Sequence, residues 1–269
     1  MNKNIVILDG NLKDKAVLNP SDYVRHMIKL GKLKKSKFPK YCILCFFKSF
    51  YKVIEEKYNS KSIGYPDDFP IHIFNYNGIN VAFVYPTIGS SAGDMLEELI
   101  ALGGKYFISI GGVGTIAPEI ERGEIIIPTK AIRDEGVSFH YEKPSRFSYP
   151  SNFIVESIEN TLTKSNVPLL KGATWTTHSS YRETRQKVLE FHKSGVLTVE
   201  MEASMFFSIA KFRGVDIGCI FIAGDCVANE KWNPRMKRKD LPRIESDRQK
   251  LLDYALETLI SIKSSSKGG

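Results

Sequence analysis

Apolar and polar positions along this 269-residue chain recur in two periods, one of strands and one of helices. From residue 71 onward the pattern is regular. Ile71 to Tyr76 and Ile79 to Tyr85 read as two antiparallel strands joined at Asn77-Gly78, a dipeptide suited to a tight hairpin. In Ala92 to Leu102, Met95, Leu96, Leu99 and Leu102 fall at helical spacing, and Gly103-Gly104 ends the helix. Lys105 to Ile110 reads as a short buried strand running into a glycine turn at Gly111-Gly112-Val113-Gly114, and Glu124 to Pro128 as another strand. Helices over Asn152 to Lys164, Arg182 to Ser194 and Ala203 to Arg213 then alternate with strands over Gly172 to Thr177, Leu197 to Glu200 and Ile217 to Ala223. Alternation of this kind predicts an α/β chain with helices on both faces of its sheet. Before residue 71 the rhythm is less regular. Asn4 to Leu8 reads as a short strand, Asn19-Pro20-Ser21-Asp22 caps a helix over Tyr23 to Leu30, and Tyr41 to Tyr58 reads as one aromatic-rich helix.

Composition narrows the class. With 42% hydrophobic, 25% charged and 11% aromatic residues the chain is too apolar to be disordered, and its length suits one large α/β domain over residues 1–263 with a flexible tail at 264–269. No stretch holds the roughly 18 uninterrupted apolar residues of a membrane span, and MNKNIVILDG lacks an apolar signal core, so the expectation is a cytoplasmic protein without membrane contact. Four cysteines are too few for a disulfide scaffold. Cys42 and Cys45 form a C-x-x-C without a second ligand pair, so buried thiols are expected and no metal. The net charge of +8 is local: six lysines fall between Lys29 and Lys40, and six basic residues face only Asp240 between Lys231 and Arg243. Without those segments 26 basic residues stand against 29 acidic ones. Neither segment has the interleaved aromatics of a nucleic-acid surface, so both read as solvated loops or as an anion-attracting rim around an active site.

In open α/β sheets ligands sit beyond the carboxyl ends of strands, which directs attention to four places. Thr87-Ile88-Gly89-Ser90-Ser91 and Gly111-Gly112-Val113-Gly114-Thr115 are either plain turns or cradles whose N–H groups and hydroxyls hold an anion. Val199-Glu200-Met201-Glu202-Ala203 ends an apolar strand in two carboxylates, either to receive the vicinal hydroxyls of a ribose or to favour a helix N-terminus. Asp225 follows the most apolar strand, as a catalytic acid or as a cap.

Taken in order, Ile108 to Thr115, Gly123-Glu124-Ile125-Ile126-Ile127-Pro128, Arg133-Asp134-Glu135-Gly136-Val137-Ser138, Val199 to Ala203 and Gly224-Asp225 resemble the nucleoside phosphorylase family of purine nucleoside and uridine phosphorylases and related nucleosidases. The resemblance runs from about Ile79 to Ile260. It implies a three-layer α/β/α sandwich with a mixed central sheet, a homo-oligomer of dimers or hexamers, and phosphate-dependent cleavage of a nucleoside to free base and ribose 1-phosphate. Inorganic phosphate would be the co-substrate, with no cofactor, and the partners would be small molecules. By position, Met201 and Glu202 correspond to the ribose-binding pair, and Asp225 to the acid that purine-specific members direct at N7 of the base, which favours a purine. Arg182, beside Tyr181, is the candidate contact for a pyrimidine carbonyl. The expected phosphate ligands are Ser90, Gly112 and Thr115 with Arg25, because Ser109 stands where the family carries an arginine and no Gly-Asp-Pro loop is present. That departure keeps open a uridine phosphorylase, a phosphate-independent nucleosidase and a non-catalytic nucleoside-binding protein.

Overall fold

The computed structural model describes residues 6–8, 11–64 and 70–265. Its strands are β1 (Tyr41–Cys45), β2 (Lys61–Ser62), β3 (His72–Tyr76), β4 (Ile79–Val84), β5 (Tyr106–Thr115), β6 (Ile125–Asp134), β7 (Phe147–Ser148), β8 (Leu169–Thr177), β9 (Val196–Glu200) and β10 (Asp216–Cys226). The α-helices are α1 (Pro20–Lys29), α2 (Phe50–Tyr58), α3 (Ser91–Leu102), α4 (Asn152–Lys164), α5 (Arg185–Lys193), α6 (Ala203–Arg213) and α7 (Leu241–Ser265).

The sheet is mixed and runs β2-β3-β4-β1-β5. Asn77 and Gly78 both take positive φ, which closes the β3–β4 hairpin. The β4-α3-β5 passage is a parallel crossover whose two strands lie on either side of β1. Beyond β5 the sheet closes on itself: β5 pairs with β9 and β10, and the ring is completed through β8 and β6. Helices cover two faces. Val24 of α1, Leu96 and Leu99 of α3 and Met205 to Ala210 of α6 share one apolar cluster. Phe50 and Ile54 of α2, Ile154 and Ile158 of α4 and Leu251 to Ile262 of α7 share the other. This is the expected three-layer α/β/α arrangement with a mixed central sheet, with the added closure of the sheet into a ring.

Four expectations are corrected, the last two only as far as the described residues reach. Tyr41 to Tyr58 is not one helix but β1, a loop over Phe46 to Ser49, and α2. β1 is the strand between β4 and β5, so it is covered on both faces: Cys42 and Leu44 enter one cluster, Ile43 and Cys45 the other. A strand buried on both faces is continuously apolar, and its period does not distinguish it from a buried helix. Gly111 to Gly114 is not a turn either, since β5 continues through it to Thr115. Close neighbours favour glycine there: a Cβ at Gly114 would lie 3.0 Å from Val199 Cγ1, and one at Gly111 would meet Phe46 at 3.4 Å. The proposed strand at Asn4 to Leu8 falls partly outside the described residues, and Val6–Leu8 is a 3₁₀ turn. Of the proposed tail, Ser264 and Ser265 end α7 and the rest lies outside the described residues.

The four cysteines are free and buried, as expected. Cys42 and Cys45 are an odd number of positions apart on one strand and therefore face opposite cores, so they cannot share a metal. Burial pushes both thiols well above their ordinary range, which keeps them unreactive. No described helix is long and apolar enough to cross a membrane.

Candidate active site

β9 delivers Glu200, Met201 and Glu202 to the start of α6, and the two carboxylates have different tasks. Glu200 is closed off. One oxygen accepts from Thr176 Oγ1 at 2.5 Å, and the other from the N–H groups of Glu202 and Ala203 at 2.7 and 2.6 Å. It therefore ties the first turn of α6 to β8. Glu202 lies across a cleft from the β4–α3 turn and accepts from the Gly89 N–H at 2.7 Å. Gly89 has φ +75°, which aims its N–H at the carboxylate, and Met201 Cε would touch a Cβ there at 3.9 Å. Burial, then the charge of Glu200, raises the Glu202 carboxyl to about 8. Burial, opposed by its hydrogen bonds, raises Glu200 to about 7.

Glu202, Met201, Ser109, Gly112, Phe46 and Arg248 line a cavity of about 290 Å³, large enough for a sugar. Its floor is apolar, and its acidic end is Glu202 with the engaged Glu200 behind it. Such a buried carboxylate, held only by backbone N–H groups, suits a ligand that brings its own donors, as a vicinal diol does.

Asp225 sits where β10 breaks register between Ala223 and Cys226, a bulge that re-aims a side chain. Its Oδ2 accepts from Trp232 Nε1 at 2.6 Å. Glu183 is its near neighbour: burial, then the charge of Asp225, raises the Glu183 carboxyl to about 7. Asp225 does not line the Glu202 cavity but stands beyond Gly114, whose Cβ position is 3.5 Å from Asp225 Oδ1. Arg182 is exposed on the 3₁₀ turn Ser180–Arg182, next to Glu183.

The four expected anion ligands are not brought together. Gly112 lines the cavity, and Ser90 is exposed at the N-cap of α3 beside Gly89. Thr115 is fully buried, donating to the Asp225 carbonyl at 3.2 Å and accepting from Arg235 at 3.3 Å. Its hydroxyl braces the end of β5. Arg25 is exposed on α1, paired with Asp22 at 3.2 Å, and lines neither the Glu202 cavity nor its neighbour at Gly112. The Arg133 to Ser138 segment is also a brace. Buried Arg133 donates to Ser138 Oγ and to the carbonyls of Lys143 and Glu142, while Glu135 accepts from Ser204 Oγ at 2.9 Å and so holds the start of α6.

Residues 40–257 match the phosphorylase superfamily. The chain belongs to that superfamily. Within it, the chain is 29% identical over 181 residues to a uridine phosphorylase of Thermococcus kodakarensis, covering 60% of this chain and 63% of that protein. It is 25% identical over 159 residues to a guanosine phosphorylase of Halorubrum lacusprofundi, covering 58% and 66%. The matches thus span less than two thirds of these relatives' lengths. Solved structures share its fold at low identity. A uridine phosphorylase of Vibrio fischeri has a TM-score of 0.72 at 22% identity, covering 83% of this chain and 92% of that one. An AMP nucleosidase of Bacteroides thetaiotaomicron has 0.73 at 18%, covering 93% and 100%.

Arg248 and Phe46 are cavity residues that sequence reasoning missed. Arg248 comes from α7, whose apolar positions Ile244, Leu251, Leu252, Ala255 and Leu259 carry the helical spacing that would have revealed the helix. Phe46 follows β1, and was hidden when β1 was read as helix.

Proposed function

We propose that this protein is a nucleoside phosphorylase that cleaves the N-glycosidic bond of a ribonucleoside, purine favoured, with inorganic phosphate as the co-substrate. The observation that carries the proposal is Glu202, buried in the cavity with only backbone N–H donors and a raised carboxyl. A ribose that donates two hydroxyls to it supplies what its burial lacks. Cleavage builds positive charge on the ribosyl ring, and Glu202, protonated in the ligand-free site and ionised once the sugar hydroxyls donate to it, stabilises the transition state more than the ground state. A phosphate oxygen forms the new bond to C1′ as the bond from C1′ to the base nitrogen breaks, and the electron pair leaves with the base. Asp225, held by the Trp232 indole, is then the group that meets N7 of a purine. Relatives named for uridine, guanosine and purine nucleosides support the reaction but divide on the base. The same reading includes no cofactor, no nucleic-acid or membrane partner, and a cytoplasmic homo-oligomer, which sedimentation tests.

A second reading has its own observation. Ser109, buried in β5, replaces the arginine expected on that strand, and Arg25 is paired with Asp22 on the surface. Water would then replace phosphate at C1′, as in a nucleosidase. Incubation with inosine, adenosine and uridine, each with and without phosphate, decides. Phosphate-dependent release of base supports the phosphorylase, phosphate-independent release supports the nucleosidase, and binding without release overturns both in favour of a binding protein.

A further inference from the structure

One buried polar atom beside the cavity takes no part in the chemistry proposed for Glu202 and Asp225. His178 follows β8 on a bend, where the Ser179 N–H donates to Thr177 Oγ1 at 3.3 Å. The residue is half-buried, but its Nε2 is shut off from solvent and has no hydrogen-bond partner among the described residues. A buried nitrogen left unpaired weakens the folded chain, and such an atom persists where a ligand completes it.

The strand register says where that atom points its chemistry. Thr176 of β8 pairs with Glu200 of β9 in parallel, so the residues two beyond each, His178 and Glu202, leave neighbouring strand ends side by side. Both reach Gly89. Its N–H donates to Glu202 at 2.7 Å, and a Cβ there would lie 4.0 Å from His178 Cδ2, the ring carbon bonded to Nε2, and 3.9 Å from Met201 Cε. Met201 and Glu202 line the cavity, and Ser180 Oγ, two residues after His178, contacts Met201 Sδ at 3.8 Å. Imidazole, thioether and carboxyl therefore surround one glycine whose missing side chain leaves the space between them open. A ribose hydroxyl that donates to Glu202 keeps acceptor lone pairs of its own, and an imidazole N–H set beside that carboxyl can fill one of them.

We propose that His178 is a further sugar-binding residue of this cavity, its Nε2–H donating to one oxygen of the ribose diol whose hydroxyls donate to Glu202. The inference rests on the reading of the cavity as a ribose site. To that reading it adds a residue from the end of β8 that discriminates ribose from deoxyribose, whichever base the sugar carries and whether phosphate or water attacks it.

Titration calorimetry on the full chain tests this, with C-nucleoside analogues of inosine and of uridine as probes, because their carbon–carbon link between sugar and base is not cleaved. His178→Phe keeps a ring and removes the nitrogen. It should weaken binding of the ribosides roughly ten- to a hundredfold, since a sugar oxygen is then buried without its donor. The same loss is expected for the 5′-deoxy analogues, and a much smaller one for the 2′-deoxy or the 3′-deoxy analogue, whichever lacks the oxygen that Nε2 meets. His178→Gln, whose amide also carries an N–H donor, should recover part of the affinity, and His178→Ala repeats the test if the phenyl ring does not fit. Thermal melts of the ligand-free protein give a second readout. Replacing a histidine that serves the fold lowers Tm, whereas removing an unpaired nitrogen should leave the Tm of His178→Phe equal to or above that of the parent. Unchanged affinity, an equal loss on every analogue, or a loss spared only in the 5′-deoxy analogues would overturn the role. Glu202→Gln in the same titrations separates this inference from the reading beneath it. If Glu202→Gln weakens riboside binding and His178→Phe does not, the ribose site stands and His178 is excluded from it; if the parent binds no analogue, the ribose reading itself fails and His178 with it.

Discussion

Two carboxylates two positions apart show how burial and partners divide roles. Both line the cavity, but Glu200 has its donors supplied by Thr176 and the first turn of α6, which it organises, whereas Glu202 is held by backbone N–H groups such as that of Gly89. Glu202→Gln keeps that contact but loses the charge. It should lower turnover of ribonucleosides by about 10- to 100-fold, and of 2′-deoxyribonucleosides much less, because only the former present both hydroxyls. Equal losses measured on inosine and 2′-deoxyinosine would remove Glu202 from the sugar site. Asp225→Asn should slow purine nucleosides by about 10²–10⁴-fold with little change in binding, since an amide hydrogen-bonds N7 but delivers no proton. A 7-methylated purine nucleoside, already a good leaving group, should be nearly unaffected, and comparison of the two substrates checks the role. At this scale the sequence was informative where a strand ended in an acid, because that placement depends only on local order. It misled at Thr115 and Arg25, where the decisive facts are who else claims the hydroxyl and the guanidinium.

At the scale of elements, β5 is the strand on which the site depends, since it touches β1, β9 and β10. Its glycines are the reason so many neighbours fit. Gly114→Ala would drive a methyl to 3.0 Å from Val199 Cγ1, pushing β9 and its carboxylates outward. A cost of about 1–3 kcal/mol is expected. Gly112→Ala, whose methyl meets only Phe47 at 3.8 Å, should stay within about 0.5 kcal/mol of the parent. Urea denaturation of both variants tests the pair, and equal stabilities would mean that β5 has slack. Helices were legible wherever one face stays polar, as at α3 and α4. β1 and the glycine end of β5 were not, because a strand covered on both faces has no alternation to read, and a glycine serves close approach as readily as a turn.

For the whole molecule, the layering of helices on a mixed sheet follows from alternating elements, but the closure of that sheet does not. Ring closure depends on β5 pairing with β9 and β10, partners more than 80 positions away that no local pattern announces. The same long-range assembly buries Glu200 and Glu202 side by side, and this gives the folded chain a pH dependence of its own. Their carboxyls are raised from 4.5 to about 7 and about 8, chiefly by burial. Between 4.5 and those values the folded chain holds protons that the unfolded chain has released, so these groups make stability fall as pH rises, with the loss complete above about 8. The effect is on the order of a few kcal/mol, or several degrees in Tm for a chain of this size. Calorimetric melts of the ligand-free protein should therefore give a lower Tm at pH 8.5 than at pH 5.5 on account of this pair. Glu202→Gln, which cannot ionise, should flatten the curve across that window and gain most over the parent at its alkaline end. A variant whose Tm runs parallel to that of the parent would mean that Glu202 is ionised in the folded chain throughout, and that the carboxylate meets the sugar already charged.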